Sequence, residues 1–307
     1  MSQPWVYGEQ FSFSPPVRYK GLINQGATCY LNSVLQVLFM TEDFREAVER
    51  CPGSDFIDYH LKSLFGKLKD QTTDTFDITK KLDIKRVYEQ RDAAEYFKKI
   101  LNLTSPESSQ IFFGKQAHRT VCSTCQTQTD TDGKFWHLPL TLLDSQNDFS
   151  VVNGLKDYFK ASTFSGDEQM YCEHCDAKRD ATFEFVIKRH PEVLTLLLKR
   201  FELDYRSMTY LKINCPVHIP HTIQIPENQT YELYAVVDHV GDLKHGHYTA
   251  CIKPQEEDRW FKFDDARVTE LDFQPFQSDN CKRGRMSQKV LRQIRHCLSP
   301  LLQEKER

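Results

Sequence analysis

No run in the 307-residue sequence is long and apolar enough to cross a bilayer. Beyond the stretch around residues 30–39, the longest strongly apolar run is Val193 to Leu198, far short of the about 20 residues a spanning helix needs. The opening Met1-Ser-Gln-Pro-Trp-Val-Tyr-Gly-Glu lacks the charged and then apolar succession of a secretory leader, so an intracellular protein, cytoplasmic or nuclear and without a membrane partner, is expected. Internal repeats and low-complexity tracts are missing too, which excludes solenoids and fibrous chains. Net charge is small, -3, but unevenly spread. Residues 281–307 carry eight Lys/Arg against two Glu, a balance of +6, and leave -9 for the rest. An acidic body disfavours nucleic acid as the main partner and suits a basic protein surface.

What is present is globular in texture, with 39% hydrophobic and 27% charged residues, enough chain for one large domain or two ordinary ones. Residues 1–20 hold Pro4, Pro15 and Pro16 without periodicity and read as an extended lead-in. Apolar residues recur at helical spacing over 56–69 and again from Asp92 to Leu103. After Pro106 the pattern turns to strands, at Ile111-Phe-Phe, 116–121 and 135–143. A helix follows near 152–159, then strands near 182–189, 193–201, 231–239, 248–253 and 260–263. Helices first and strands later predict an α+β fold with antiparallel sheets.

Three groups of residues carry chemistry. Cys29 falls where a polar, Gly-containing approach, Gly21-Leu-Ile-Asn-Gln-Gly-Ala-Thr, meets a nearly all-apolar helix. A thiol there would feel unpaired backbone N–H groups and the positive end of the helix dipole, both favouring thiolate. The bland alternative is one more small buried hydrophobe. The second group is Cys122-Ser-Thr-Cys125 and Cys172-Glu-His-Cys175. Each pair can wrap a knuckle around a metal, and two knuckles complete a four-thiolate zinc shell, closed and therefore structural. The 46 residues between the pairs call for a long hairpin excursion. The third group is His247, at the start of a strand after Gly246, with Asp264 seventeen positions on. Neighbouring antiparallel strands would let that carboxylate hold the imidazole. Cys, His and Asp follow the order of papain-type thiol hydrolases.

At these residues the sequence resembles the ubiquitin-specific proteases, a family of cysteine deubiquitinases. The likeness lies in Gly21 to Ser33, Arg91-Asp-Ala-Ala-Glu-Tyr-Phe, the two CxxC pairs, Leu196-Leu-Leu-Lys-Arg-Phe, Gly246-His-Tyr-Thr-Ala and Trp260-Phe-Lys-Phe-Asp-Asp. It implies a papain-like hand: a helical thumb over about 21–107, zinc-tipped fingers over 108–190 and a β palm over 191–278, with 279–307 a basic tail. It also implies hydrolysis of the isopeptide or peptide bond after the terminal Gly-Gly of ubiquitin or a ubiquitin-like modifier, by a monomer needing no cofactor beyond structural zinc. Cys29 would be the nucleophile, His247 the base and then acid, Asp264 the orienter, and Asn24 the oxyanion side-chain donor. Asp265 is the reserve orienter, its side chain expected to face away if the strand continues. Asp92 and Glu95 resemble acidic residues that hold the modifier's tail, although acidic charge at a helix start has its own reason.

Two departures stand out. Arg91 stands where the family has glutamine, and the chain after Phe263-Asp-Asp shows no closing palm strand, reading instead as a basic stretch, helical over 288–297. A missing palm strand beside the one bearing His247 would expose an edge. It would also favour a weak or inactive ubiquitin-binding relative. A zinc-ribbon nucleic-acid module would explain the CxxC pairs and the tail but neither Cys29 nor His247.

Overall fold

The computed structural model describes residues 18–51, 53, 55–142, 148–204, 208–242, 245–272 and 286–293. The helix Cys29–Met40 is buried along its whole length, as an apolar surface on all sides requires. The helices Glu42–Arg50, Asp58–Asp70 and Ala93–Leu103 bring Phe44, Phe65 and Phe97 into one core with it. Asp58, fully buried, accepts hydrogen bonds from the Ser105 N–H at 3.0 Å, Ser105 Oγ at 2.7 Å and Ser108 Oγ at 2.6 Å. Its carboxylate thus has its partners and ties the third helix to the short helix Pro106–Ser109. Ile111-Phe-Phe, read from sequence as a strand, is a turn after that helix. Phe112 is nevertheless fully buried, so its apolar character serves the core and not a ladder.

The largest sheet has eight strands. Seven lie in the order Arg267–Leu271, Trp260–Asp264, Gly246–Ile252, Gln229–Gly241, Met286–Gln293, Val193–Lys199 and Leu138–Thr141, and Thr222–Ile225 pairs with Gln229–Gly241 off that path. Every pairing is antiparallel except that of Leu138–Thr141 with Val193–Lys199. One face packs through Ala235, Val237, Tyr248, Ala250 and Phe263 on the Cys29 helix core. The other face holds a second core with Leu140, Leu155, Leu196, Leu233 and Val236. Residues 233 and 235 share a parity yet serve opposite cores. The register slips between Leu233 and Ala235, with Tyr234 as the extra residue, and such a bulge re-aims the alternation.

The strand Met286–Gln293 corrects the expectations of a missing strand and of a helix from residue 288, while the remainder of the expected 279–307 tail lies outside the described residues. It fills the slot between Gln229–Gly241 and Val193–Lys199. The strand bearing His247 has a neighbour on each side, Gln229–Gly241 and Trp260–Asp264, so no edge opens beside it. The inactive-relative reading loses its ground with that edge.

A separate four-stranded sheet runs Gln128–Phe135, Gly114–Cys122, Ala181–Arg189, Ser162–Phe164. Between its halves the chain does not make a simple hairpin excursion. It enters the large sheet at Leu138–Thr141, forms the helix Val151–Phe159 and returns. The two CxxC pairs therefore meet across sheet strands brought together from distant parts of the chain. Among the described residues no helix is long and apolar enough to cross a membrane.

Candidate active site and metal centre

Cys29 is the first residue of its helix and 2% exposed. The approach to it is shaped by Asn24, whose Oδ1 accepts from the N–H of Gly26 at 2.9 Å, from the N–H of Thr28 at 3.0 Å and from Thr28 Oγ1 at 3.3 Å. Gly26 has φ +142, and a Cβ there would lie 2.5 Å from the Tyr88 ring, so only glycine fits. One side chain that the sequence reading missed connects this loop to the sheet. Gln90 Nε2 donates to Cys29 Sγ at 3.4 Å and to the carbonyl of Gly246 at 2.8 Å. A single amide nitrogen thus spans the thiol and the residue before His247. The only sequence signal was its place directly ahead of Arg91-Asp-Ala-Ala-Glu.

His247 Nε2 lies 2.7 Å from Asp264 Oδ1. Burial alone would raise the Asp264 carboxyl, but the bond to His247 and the charges of His247 and Lys262 hold it below its ordinary value. Asp265 is not where strand alternation puts it. It sits in the turn after Trp260–Asp264 with φ +50, so its carboxylate swings to the same side, within 4.8 Å of the His247 and Asp264 ligand atoms. There its Oδ2 accepts from Asn24 Nδ2 at 2.8 Å and its Oδ1 from Asn32 Nδ2 at 2.8 Å. Asp265 joins the helix to the sheet and fixes the Asn24 amide.

The Cys29 thiol departs from the thiolate expectation. Burial pushes it above the ordinary thiol value and the Asp265 charge adds to this, against hydrogen bonds from the Tyr248 and Tyr30 backbone and from Gln90 that favour thiolate. The helix start is real, but desolvation outweighs it. Asp92 is the N-cap of the helix Ala93–Leu103, its Oδ1 accepting from the Glu95 N–H at 3.0 Å, and it also hydrogen-bonds the Tyr248 side chain. Its first task is capping. Glu95 is exposed one turn along. Arg91 pairs with Glu89 at 3.4 Å and also hydrogen-bonds the Tyr96 side chain.

At the far end of the four-stranded sheet, Cys122, Cys125, Cys172 and Cys175 bring their sulfurs within 4.8 Å of one another. The Cys122–Cys175 and Cys125–Cys172 Sγ separations are 4.0 and 3.6 Å, too long for disulfides. Each knuckle turns through a left-handed residue, Gln126 at φ +59 and Asp176 at φ +49. Four thiols converging on one point form a site that can bind a metal ion.

A cysteine at a helix start, linked through Gln90 to the strand that carries a histidine–carboxylate pair, is the arrangement of papain-like proteases. The ubiquitin carboxyl-terminal hydrolase family model matches residues 20–289, and the chain belongs to that family of cysteine proteases, as the resemblance to ubiquitin-specific proteases implied. It is similar to ubiquitin carboxyl-terminal hydrolase 15 of Schizosaccharomyces pombe, 32% identical over 85% of this chain and 25% of that protein. Ubiquitin carboxyl-terminal hydrolase 15 of Saccharomyces cerevisiae is 29% identical over 81% of this chain and 23% of its own length. Ubiquitin carboxyl-terminal hydrolase 48 of Danio rerio is 29% identical over 83% and 27%. The chain spans about a quarter of the length of these curated relatives.

Proposed function

We propose that the protein is a thiol-dependent deubiquitinase that hydrolyses the isopeptide or peptide bond after the C-terminal Gly-Gly of ubiquitin or a ubiquitin-like modifier. The observation carrying this reading is the Gln90 bridge, which sets the Cys29 sulfur beside the strand on which His247 is held by Asp264. Because burial raises the Cys29 thiol, attack would begin with transfer of its proton to His247. The thiolate adds to the scissile carbonyl, and the imidazolium then gives its proton to the leaving lysine amine. Asn24 retains one amide N–H beyond the bond to Asp265, and that N–H with the Cys29 backbone N–H would meet the oxyanion, each such donor worth about 3 kcal/mol. The thumb, fingers and palm of the family hand correspond to the helical third, the four-stranded sheet and the eight-stranded sheet. Asp92 and Glu95 would line the path of the modifier's tail. The test is turnover: the purified chain should release a fluorophore from the C-terminus of ubiquitin or a ubiquitin-like modifier, and folded protein that releases none overturns the reading.

The roles of the two carboxylates are separable. Asp264→Ala should lower kcat by raising the cost of the imidazolium, whereas Asp265→Ala should act through Asn24 and Asn32, lowering both kcat and thermal stability. Melting curves beside kcat for the two variants check this division. Equal melting temperatures, or a larger kcat loss in Asp265→Ala without any stability loss, would reassign the orienter.

The four thiols would hold structural zinc. A tetrahedral Zn–S shell with bonds of about 2.3 Å has sulfur–sulfur edges of about 3.8 Å, which brackets well with separations of 3.6 and 4.0 Å. Such a site contributes on the order of 10 kcal/mol of apparent binding energy at the end of the sheet away from Phe135 and Ile187, which join the second core. Cys125→Ser should therefore lose bound zinc and lower the melting temperature together. Zinc content by elemental analysis is the check, and full metal content in that variant would remove Cys125 from the shell.

A further inference from the structure

The motif Leu196-Leu-Leu-Lys-Arg-Phe leads into a hairpin, Phe201–Asp204 paired with Thr209–Lys212, that the reaction above does not use. Its root is pinned by Arg200, whose buried guanidinium donates to the carbonyls of Ile213 at 2.7 Å and Cys215 at 3.0 Å. Its last residue reaches toward the catalytic strand. Lys212 Nζ bonds His239 Nδ1 at 2.9 Å, the His239 carbonyl at 2.8 Å and the Gly241 carbonyl at 3.1 Å. Three convergent acceptors match the three donors of an ammonium, and a planar guanidinium has no equivalent geometry.

The acceptors sit where the strand Gln229–Gly241 ends. Gly241, at φ +97, pairs across with Gly246, the residue before His247. The His239 ring is the wedge between them. It is 1% exposed, with its centroid 4.4 Å from that of Tyr248 and 5.7 Å from that of Phe201, and a Cβ on residue 246 would lie 2.0 Å from its Nε2. The ring therefore touches the residues on both sides of His247 in the chain. Burial and the neighbouring Lys212 charge hold His239 down to about 4, so the ring is neutral, and an ammonium, having donors only, takes the tautomer with Nδ1 free to accept.

We propose that Lys212 is a positioning residue whose ammonium locks the hairpin, the His239 ring and the Gly241–Gly246 pair into one unit, fixing the backbone from which His247 serves Cys29. The inference rests on His247 being the general base of the proposed hydrolysis. Small displacements of a reacting group cost about 100-fold for 1 Å, so the clamp's effect falls on kcat and not on modifier binding.

The experiment compares the full chain with Lys212→Met, which keeps the aliphatic stem and removes the donors. For ubiquitin carrying a C-terminal fluorophore, kcat should fall about tenfold or more with KM within about twofold. Amide exchange at Val240, Gly241 and Gly246–Tyr248 should rise, while exchange in the Trp260–Asp264 strand should not. Lys212→Arg keeps the charge but not the tripod and should fall between the two. The proposal is overturned by unchanged kcat or unchanged exchange at those amides. It is equally overturned by kcat and KM failing together with faster exchange everywhere, or by Lys212→Arg matching wild type. If the wild-type chain does not turn over, the hydrolase reading fails separately, and the exchange comparison still decides the clamp.

Discussion

Replacing Cys29 by alanine is expected to lower hydrolysis of ubiquitin conjugates on the order of 10⁴-fold or more, the scale seen when a nucleophile is removed, while ubiquitin affinity changes little. The first half follows from the proposed chemistry, since among the described cysteines Cys29 alone is bonded to Gln90, whose amide also holds the carbonyl of the residue before His247. Cys251, on the same strand as His247, is half-buried, belongs to the core on the opposite face of the sheet, and has its thiol pushed up to about 12 by burial. The second half follows from where Cys29 sits. Its sulfur is buried in a helix start held by Asn24, Thr28 and Asp265, and none of those bonds involves the thiol. The measurement pairs turnover with binding of ubiquitin to the variant. Residual turnover near the wild-type rate would end the assignment of the nucleophile. Loss of binding as well as turnover would show that Cys29 is chiefly a packing residue.

The raised thiol value sharpens what this experiment means. A cysteine activated by the helix dipole alone would react with small alkylating agents independently of His247. Here desolvation dominates, and the charge of Asp265 adds to it instead of opposing it. On the proposed mechanism, reactivity would then depend on proton transfer to His247 at the moment of attack. That dependence would make the proposed placement of His247, by Asp264 on one side and by the Lys212–His239 contact on the other, the controlling feature of the site.

How far this was legible in the sequence varies with the kind of signal. The Cys29 helix, the helices starting near 58 and 93, and the strands at 193–199, 229–241 and 246–252 were readable because each buries an apolar face whose period survives in the sequence. The strand Gln128–Phe135 was missed: Gln-Thr-Asp-Thr-Asp-Gly-Lys-Phe has no alternation to read, since it is exposed along most of its length and is held by backbone pairing to Gly114–Cys122. Asp265 was aimed wrongly because alternation assumes that the strand continues, whereas a left-handed turn residue follows Asp264. Gln90 escaped because a glutamine beside a motif has no chemistry of its own until the fold sets it between a thiol and a carbonyl. The two CxxC pairs were legible as a cluster, but the route of the chain between them was not. No local rule says that the intervening residues visit another sheet.

The strand Met286–Gln293 is the sharpest disagreement, and it carries the other large prediction: a chain ending at residue 285 should fail to fold, whereas one ending at 293 should fold as the full chain does. Met-Ser-Gln-Lys-Val-Leu-Arg-Gln has mixed polarity that suits a helix or a strand, and its long-range partners decide. It pairs with Gln229–Gly241 at seven positions and with Val193–Lys199 at five. Removing it leaves without partners the N–H and C=O groups that Val193–Lys199 and Gln229–Gly241 turn toward it, on strands whose Leu194, Leu196, Val236 and Val237 are buried. Each buried group left unpaired costs about 1–3 kcal/mol, and a few such losses consume the about 5–15 kcal/mol by which a domain is stable. The loss would reach the site directly, because Gln229–Gly241 is the strand against which the His247 strand is registered, from Ala235 opposite Ile252 to Gly241 opposite Gly246. Soluble yield and a cooperative melt for the chains ending at 285, 293 and 307 make the comparison. A chain ending at 285 that melts cooperatively at the full-length temperature would mean that the central slot is filled some other way. Recovery on restoring only residues 286–293 would assign the effect to that one strand and not to the basic residues that follow it.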